Sequence, residues 1–355
     1  MTELRIVQGP GRTNFAGNDY LGLSRDGRVI EAMCAAARQR GVSATSARWA
    51  LGWTELHARL EADLAAFFGA DDAVIFDATY LAGPAYFEVM GESHDTAWLY
   101  EHSHPNLFLG ARAAGLEVRT FAHGDVEGLR RGLEAHTGRP AVIATDGVYS
   151  VCGEVAPAAE LAELARRFGA ELLIDDAHGV FALGATGKGI IEPAGVSVAD
   201  AALMGSMSKA LGCNGGFVAG RAELIDKLRR TRPASGGTLA PPGVVAACIE
   251  ALRIVRAEPE LRDRLADHAA RMRAVLGEHG IGIVSDATPI VAMVLADEAE
   301  AAGLAEHFLA RRLVIPYFHY PSEPRHNLLR SVARSCYTED ELARFAEAVA
   351  SWRGK

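Results

Sequence analysis

The sequence predicts an α/β protein, with a large domain built on a mostly parallel seven-stranded sheet and a smaller α+β C-terminal domain. Three observations predict it. Between residues 73 and 219, short apolar runs alternate with stretches of helical spacing, the pattern of strands covered by helices on both faces. After Pro241-Pro242 this alternation gives way to long helical stretches and isolated strand-like runs. At 355 residues and 49% hydrophobic content, the chain can bury a core large enough for two or three subdomains.

Taken in order, residues 1–40 form an N-terminal segment, 41–250 the large domain and 251–355 the small one. Asn14 to Leu23 is polar and punctuated by glycine, and a helix follows over 28–40. Residues 41–54 form a loop. His57 to Phe68 places Leu60, Leu64 and Phe67 at helical spacing, and Gly69 supplies the stop. Strands are expected at 73–76, 97–100, 117–121, 141–145, 171–175, 201–205 and 216–219, with helices over 81–90, 106–114 and 158–168. Beyond the proline pair come a helical stretch over 244–277, a strand-like run at 288–295, a helix over 298–311, the run Leu313-Val314-Ile315-Pro316 and a last helix over 339–352.

The formal net charge of −9 argues against a nucleic-acid or membrane-surface partner. No apolar run approaches membrane-spanning length, and Met1-Thr2-Glu3-Leu4-Arg5 lacks the basic-then-apolar pattern of a leader. Five cysteines are scattered without metal-ligand spacing. The expectation is reduced thiols, no metal and a cytoplasmic location.

The chemistry centres on Ser206-Met207-Ser208-Lys209-Ala210-Leu211-Gly212, directly after the strand at 201–205. Only four residues are lysines: Lys188 in a glycine-rich turn, Lys227 on an amphipathic helix face, the terminal Lys355, and Lys209. A lysine is ordinarily a solvated charge. One that follows a buried strand among small residues is a candidate for Schiff-base chemistry, because partial desolvation keeps some amine neutral. Ligands of parallel sheets gather at the carboxyl ends of the strands. There the sequence also places Asp175, with His178 three residues on, Ser150 after the strand at 141–145, and His104 after the strand at 97–100. Singly, such an Asp caps a turn and such a His is structural. Together they match the needs of pyridoxal phosphate: a lysine for the aldehyde, a buried carboxylate for the ring nitrogen, an imidazole for the ring face, and hydroxyls for the phosphate.

These motifs resemble the α-oxoamine synthase family of fold-type I pyridoxal-phosphate enzymes over nearly the whole chain. The resemblance rests on Asn18-Asp19-Tyr20-Leu21-Gly22-Leu23, His57-x-x-Leu60-Glu61, Asp146-Gly147-Val148-Tyr149-Ser150, Asp175-Asp176-Ala177-His178-Gly179, the Lys209 loop through Gly215-Gly216, Pro241-Pro242 and Leu329-Arg330. It implies decarboxylative condensation of an amino acid with an acyl thioester, on coenzyme A or a carrier protein, to an α-amino ketone. Transamination and decarboxylase or lyase activity use the same residues and stay open. By the resemblance, Lys209 would carry the cofactor and act as acid and base, and Asp175 would pair with the pyridine nitrogen. His178 and Ser150 would hold the phenolic oxygen, and His104 would stack on the ring. Thr79, Tyr80, Ser206 and Ser208 would line the phosphate site. Thr238 would reach the phosphate of a neighbouring subunit, which implies a homodimer with shared sites. Asn18, Ala47, Arg48 and Arg330 would bind substrate, Arg330 through the amino-acid carboxylate.

The chain departs from the family at four places. The phosphate loop reads Asp77-Ala78-Thr79-Tyr80, so Thr79 replaces a glycine and Asp77 brings a negative charge towards the phosphate. The glycine-rich substrate loop reads Ser46-Ala47-Arg48. A C-terminal His-Thr is Tyr337-Thr338, and the aromatic positions before the proline pair are Ser235-Gly236-Gly237. None touches Lys209, Asp175 or His178, so the expectation is an intact cofactor site with altered substrates.

Overall fold

The computed structural model describes residues 11–320 and 323–352; the leader reading at residues 1–5 and the terminal Lys355 lie outside the described residues. The chain enters through a two-residue strand, β1 (Thr13–Asn14). The large sheet follows as β2 (Asp72–Phe76), β3 (Thr96–Tyr100), β4 (Glu117–Phe121), β5 (Val142–Asp146), β6 (Glu171–Asp175), β7 (Ala202–Ser206) and β8 (Gly216–Gly220). Its spatial order is β2-β8-β7-β6-β5-β3-β4. β8 runs antiparallel to both neighbours, and the remaining pairs are parallel. The mostly parallel seven-stranded sheet expected from the apolar runs is therefore present.

Alternate residues of each strand enter opposite cores, as the two-residue pleat requires. Val74, Leu99, Ala144, Leu173, Met204 and Val218 pack on one face. Ile75, Tyr100, Ile143, Ile174, Leu203 and Phe217 pack on the other, in a core continuous with the C-terminal region. With both faces buried, the strands read as unbroken apolar runs, which made them legible in the sequence.

The C-terminal region has β9 (Gly282–Ile283), β10 (Ile290–Val294), β11 (Leu313–Val314) and β12 (Leu328–Val332). β12, β10 and β9 form an antiparallel sheet, and β11 pairs in parallel with β1. The stretch expected as one helix over 244–277 is two, Pro242–Ala257 and Glu260–Glu278. Pro259 explains the break: it lacks an amide proton and pushes Glu258 out of helical geometry, to φ −125° and ψ 70°. A helix at Val126–Ala135 was not expected. Asp125 caps it through the Gly128 amide, and Leu129 and Leu133 supply its buried stripe. Among the described residues, no helix is long and apolar enough to cross a membrane.

Candidate active site

Asp146 and Asp175 end neighbouring parallel strands and stand opposite each other in register. Both are buried. Burial pushes the Asp175 carboxyl up, opposed by the charges of Lys209 and His104. Burial pushes Asp146 up as well, and the charge of Asp175 adds to it. The Asp146 carboxylate accepts the His104 amide at 3.1 Å on both oxygens, and Asp175 accepts the Ala177 amide at 3.2 Å.

Lys209 lies in the loop from β7 to β8, against these carboxylates. Part of its side chain meets solvent, but burial pulls its amine from 10.5 down to about 8, against the pull of Asp175 and Asp146 in the other direction. The loop can take this course because Gly212 has φ +64° and a Cβ there would lie 2.2 Å from the Ser24 amide nitrogen. A neutral, nucleophilic fraction of amine therefore exists near pH 8, beside two acids.

A cluster of hydroxyls lies at the end of β7. Thr79 Oγ1 is 3.0 Å from Ser206 Oγ, which is 2.9 Å from Ser208 Oγ. Gly216 permits the approach, since a Cβ there would meet Thr79 Cα at 2.4 Å. Thr79 opens a short turn (Thr79–Leu81) that leads into the helix Ala82–Met90. Hydroxyls before a helix N-terminus suit a phosphate group. Tyr80, 47% exposed, meets the His104 ring edge-on at 6.0 Å between centroids. His104 is the N-cap of the helix Pro105–Ala113, with Nδ1 2.8 Å from Asn106 Oδ1. Asp77 precedes the Thr79–Leu81 turn. Burial pushes its carboxyl up, towards the neutral form, opposed by the Ala240 amide, His57 and Arg48.

Arg330 sits in the middle of β12 and is 6% exposed. Its Nε donates to the Ser150 carbonyl at 2.6 Å, Nη1 to the Ala16 carbonyl at 3.2 Å and Nη2 to Asn18 Oδ1 at 2.8 Å. Asn18 thus lies beside Arg330, as the resemblance implies, and the Ser150 backbone joins them, a contact the sequence did not point to. His178 Nδ1 lies 2.7 Å from the Tyr20 hydroxyl. Burial pushes the His178 imidazole well below its usual range, and the charges of Lys209 and Arg330 add to this.

Arg48 is buried in an ion pair with Glu61 at 2.7 Å, and the same Nη2 donates to the Ile75 carbonyl at 3.2 Å. These contacts tie Arg48 to the fold, while its Nε is buried without a partner. Ala47 forms an isolated antiparallel bridge with Thr238, which is exposed. Tyr337 is buried and donates to the Asn14 and Val332 carbonyls, and Thr338 caps the last helix; both are structural. Sequence reasoning missed Asp146, Asp176 and Tyr20 as parts of the site, although each sits inside a motif. Asp176 accepts the Ile190 amide at 2.8 Å and has one buried oxygen without a partner. Burial pushes its carboxyl up to about 8.

A family model described as aminotransferase class I and II matches residues 10–349. The 8-amino-7-oxononanoate synthase of Chromohalobacter salexigens is 38% identical over 95% of this chain and 88% of its own length. The enzyme of that name from Alkalilimnicola ehrlichii is 36% identical over 88% and 80%. The chain belongs to the class I and II aminotransferases, in the α-oxoamine synthase family. The serine palmitoyltransferase of Sphingomonas wittichii superimposes with a TM-score of 0.91 at 27% identity, over 96% of this chain and 86% of that one. An 8-amino-7-oxononanoate synthase from Francisella tularensis, at 21% identity and a TM-score of 0.82, supports the fold alone. The family's cofactor is pyridoxal 5'-phosphate, and this donor set fits it. The fit lies in an amine near pKa 8, a buried carboxylate at a strand end, and three hydroxyls ahead of a helix.

Proposed function

We propose that this α-oxoamine synthase condenses an amino acid with an acyl thioester; the observation carrying this reading is the 38% identity to an 8-amino-7-oxononanoate synthase over 95% of the chain, with Lys209 beside Asp175 and Asp146 supplying the reactive amine. When bound, pyridoxal phosphate supplies an aldehyde for the substrate amine and a ring that draws off the electron pair left when a bond at Cα breaks. Lys209 Nζ takes the proton from Cα and later returns one. Asp175 would set a carboxylate against the ring nitrogen, His178 and Ser150 would meet the phenolic oxygen, and Thr79, Ser206 and Ser208 would hold the phosphate. Arg330, steadied by Asn18 and the Ser150 carbonyl, receives the substrate carboxylate. The balance is amino acid plus acyl thioester giving α-amino ketone, carbon dioxide and free thiol.

The relatives' name makes an acyl donor leading to 8-amino-7-oxononanoate the first to test. In this reading the chain works as a cytoplasmic homodimer in which Thr238 serves the partner's phosphate site. It divides into an N-terminal segment (1–40), a cofactor domain (41–250) and a small domain (251–355). The exposed Trp49 and Leu51, 78% and 85% accessible, flank the substrate loop and suit such a dimer contact.

The experiment is carbon dioxide release from carboxyl-labelled amino acids, with and without a panel of acyl thioesters. Release that requires a thioester supports the synthase reading and identifies both substrates. Release without thioester makes the protein a decarboxylase. No release, with cofactor bound, turns the assignment to amino-group transfer or elimination.

A further inference from the structure

Tyr20 comes from the N-terminal segment, two residues after Asn18, and is fully buried. Its hydroxyl is 2.7 Å from His178 Nδ1. Which group donates in this contact follows from the surroundings. Among the described residues, His178 is the one hydrogen-bond partner of this hydroxyl. A phenol that accepted from an Nδ1–H would leave its own buried proton without an acceptor, and an unmade buried donor is costly. The hydroxyl therefore donates, and His178 Nδ1 accepts.

The imidazole is neutral, because burial and the positive charges of Lys209, Arg330 and His104 all oppose its protonation. A neutral imidazole carries one N–H. If Nδ1 accepts, the proton is on Nε2. The remaining titratable groups around the pair are Tyr320 and Asp176, both on the Tyr20 side.

We propose that Tyr20 is a positioning residue that fixes His178 as its Nε2–H tautomer, so that His178 presents a donor, not an acceptor, to the group it meets in the site. The consequence for catalysis rests on the reading above, in which that group is the cofactor's phenolic oxygen. A donor there favours the ionised oxygen, and a bare nitrogen would favour the protonated one. The logic is that of a second partner setting which ring nitrogen is available, as around metal-bound histidines.

The test uses the cofactor-free protein first. Nitrogen NMR of histidine-labelled protein, with the His178 signals assigned by their loss in His178→Gln, reads the tautomer directly. The expected result is Nε2–H in the wild type, and a shift towards Nδ1–H or a mixture in Tyr20→Phe. Nδ1–H in the wild type, or an unchanged tautomer in Tyr20→Phe, overturns the proposal. If Tyr20→Phe does not fold, the wild-type spectrum alone is decisive. The second arm titrates the absorbance of the bound cofactor with pH. Tyr20→Phe should raise its midpoint by about one pH unit. A tautomer change with no such rise leaves Tyr20 in its role and removes His178 from the phenolic oxygen, which separates failure of the proposal from failure of the functional reading.

Discussion

Glu61 and Asp175 are both buried carboxylates against the same sheet, yet their surroundings differ. Glu61 accepts from Arg48 at 2.7 Å, the Ile75 amide at 3.1 Å and the Trp53 indole at 3.1 Å, with Arg229 at 3.5 Å. Asp175 accepts one backbone amide and stands beside a second buried acid and a lysine whose amine is pulled down to about 8. In the first cluster the cost of burying charge is met by hydrogen bonds, and the group locks the loop at Arg48–Gly52 and its neighbouring helix to β2. In the second it is left partly unmet and appears instead as shifted proton affinities, which is where reactive groups are found. Both contain residues from the motifs that carry the family resemblance. The number of donors on the carboxylate, not burial or charge, separates the two: several on Glu61, one backbone amide on Asp175.

That contrast breaks most sharply at Lys209. Lys209→Ala should lower turnover by about 10³-fold or more with the fold intact. Borohydride treatment followed by peptide mass spectrometry should find the cofactor attached at Lys209 in the wild type and nowhere in the variant. Attachment elsewhere with full turnover would dissolve the distinction. The opposite outcome is expected for Glu61→Ala, which strands the buried Arg48. It should cost about 3–5 kcal/mol in urea denaturation, while protein that remains folded keeps its substrate KM. Arg330→Lys stands between the clusters. A lysine cannot reproduce the planar fork that reaches Ser150, Ala16 and Asn18, so the KM for the amino acid should rise about tenfold or more.

The smallest effect is a pH dependence. Because burial lowers the Lys209 amine to about 8, the rate of cofactor uptake by the cofactor-free protein should rise about tenfold per pH unit below that value and flatten above it. A break near 10.5 would mean that Lys209 is solvated. The linked stability has the matching sign. Between about 8 and 10.5 the unfolded chain holds this proton and the folded one does not, so this group's contribution to stability rises with pH across that window and is least favourable below it.

Much of this was legible in the sequence, for identifiable reasons. Strands covered on both faces write themselves as apolar runs, and the sheet fixes where they end, so Asp175 and Lys209 could be placed at one edge before any coordinates. The strand carrying Arg330 was not legible, because Leu328–Val332 is short and has a charge at its centre. It is a strand because β10 pairs with it and because Arg330 finds acceptors on segments from the N-terminus and from after β5. Pro259 marks the break between the helices Pro242–Ala257 and Glu260–Glu278 in the sequence itself, because proline restricts the residue before it.

Composition, spacing and motif thus determined the fold class and singled out Lys209 and Asp175 as the candidate reactive pair, because local patterning and strand ends follow from the chain itself. Only the tertiary structure turned Arg48 towards Glu61, moved Asp77 towards its neutral form and set Tyr20 against His178, 158 residues away. A side chain's partners and protonation depend on what packs around it from distant segments, and that is information no single stretch of sequence carries.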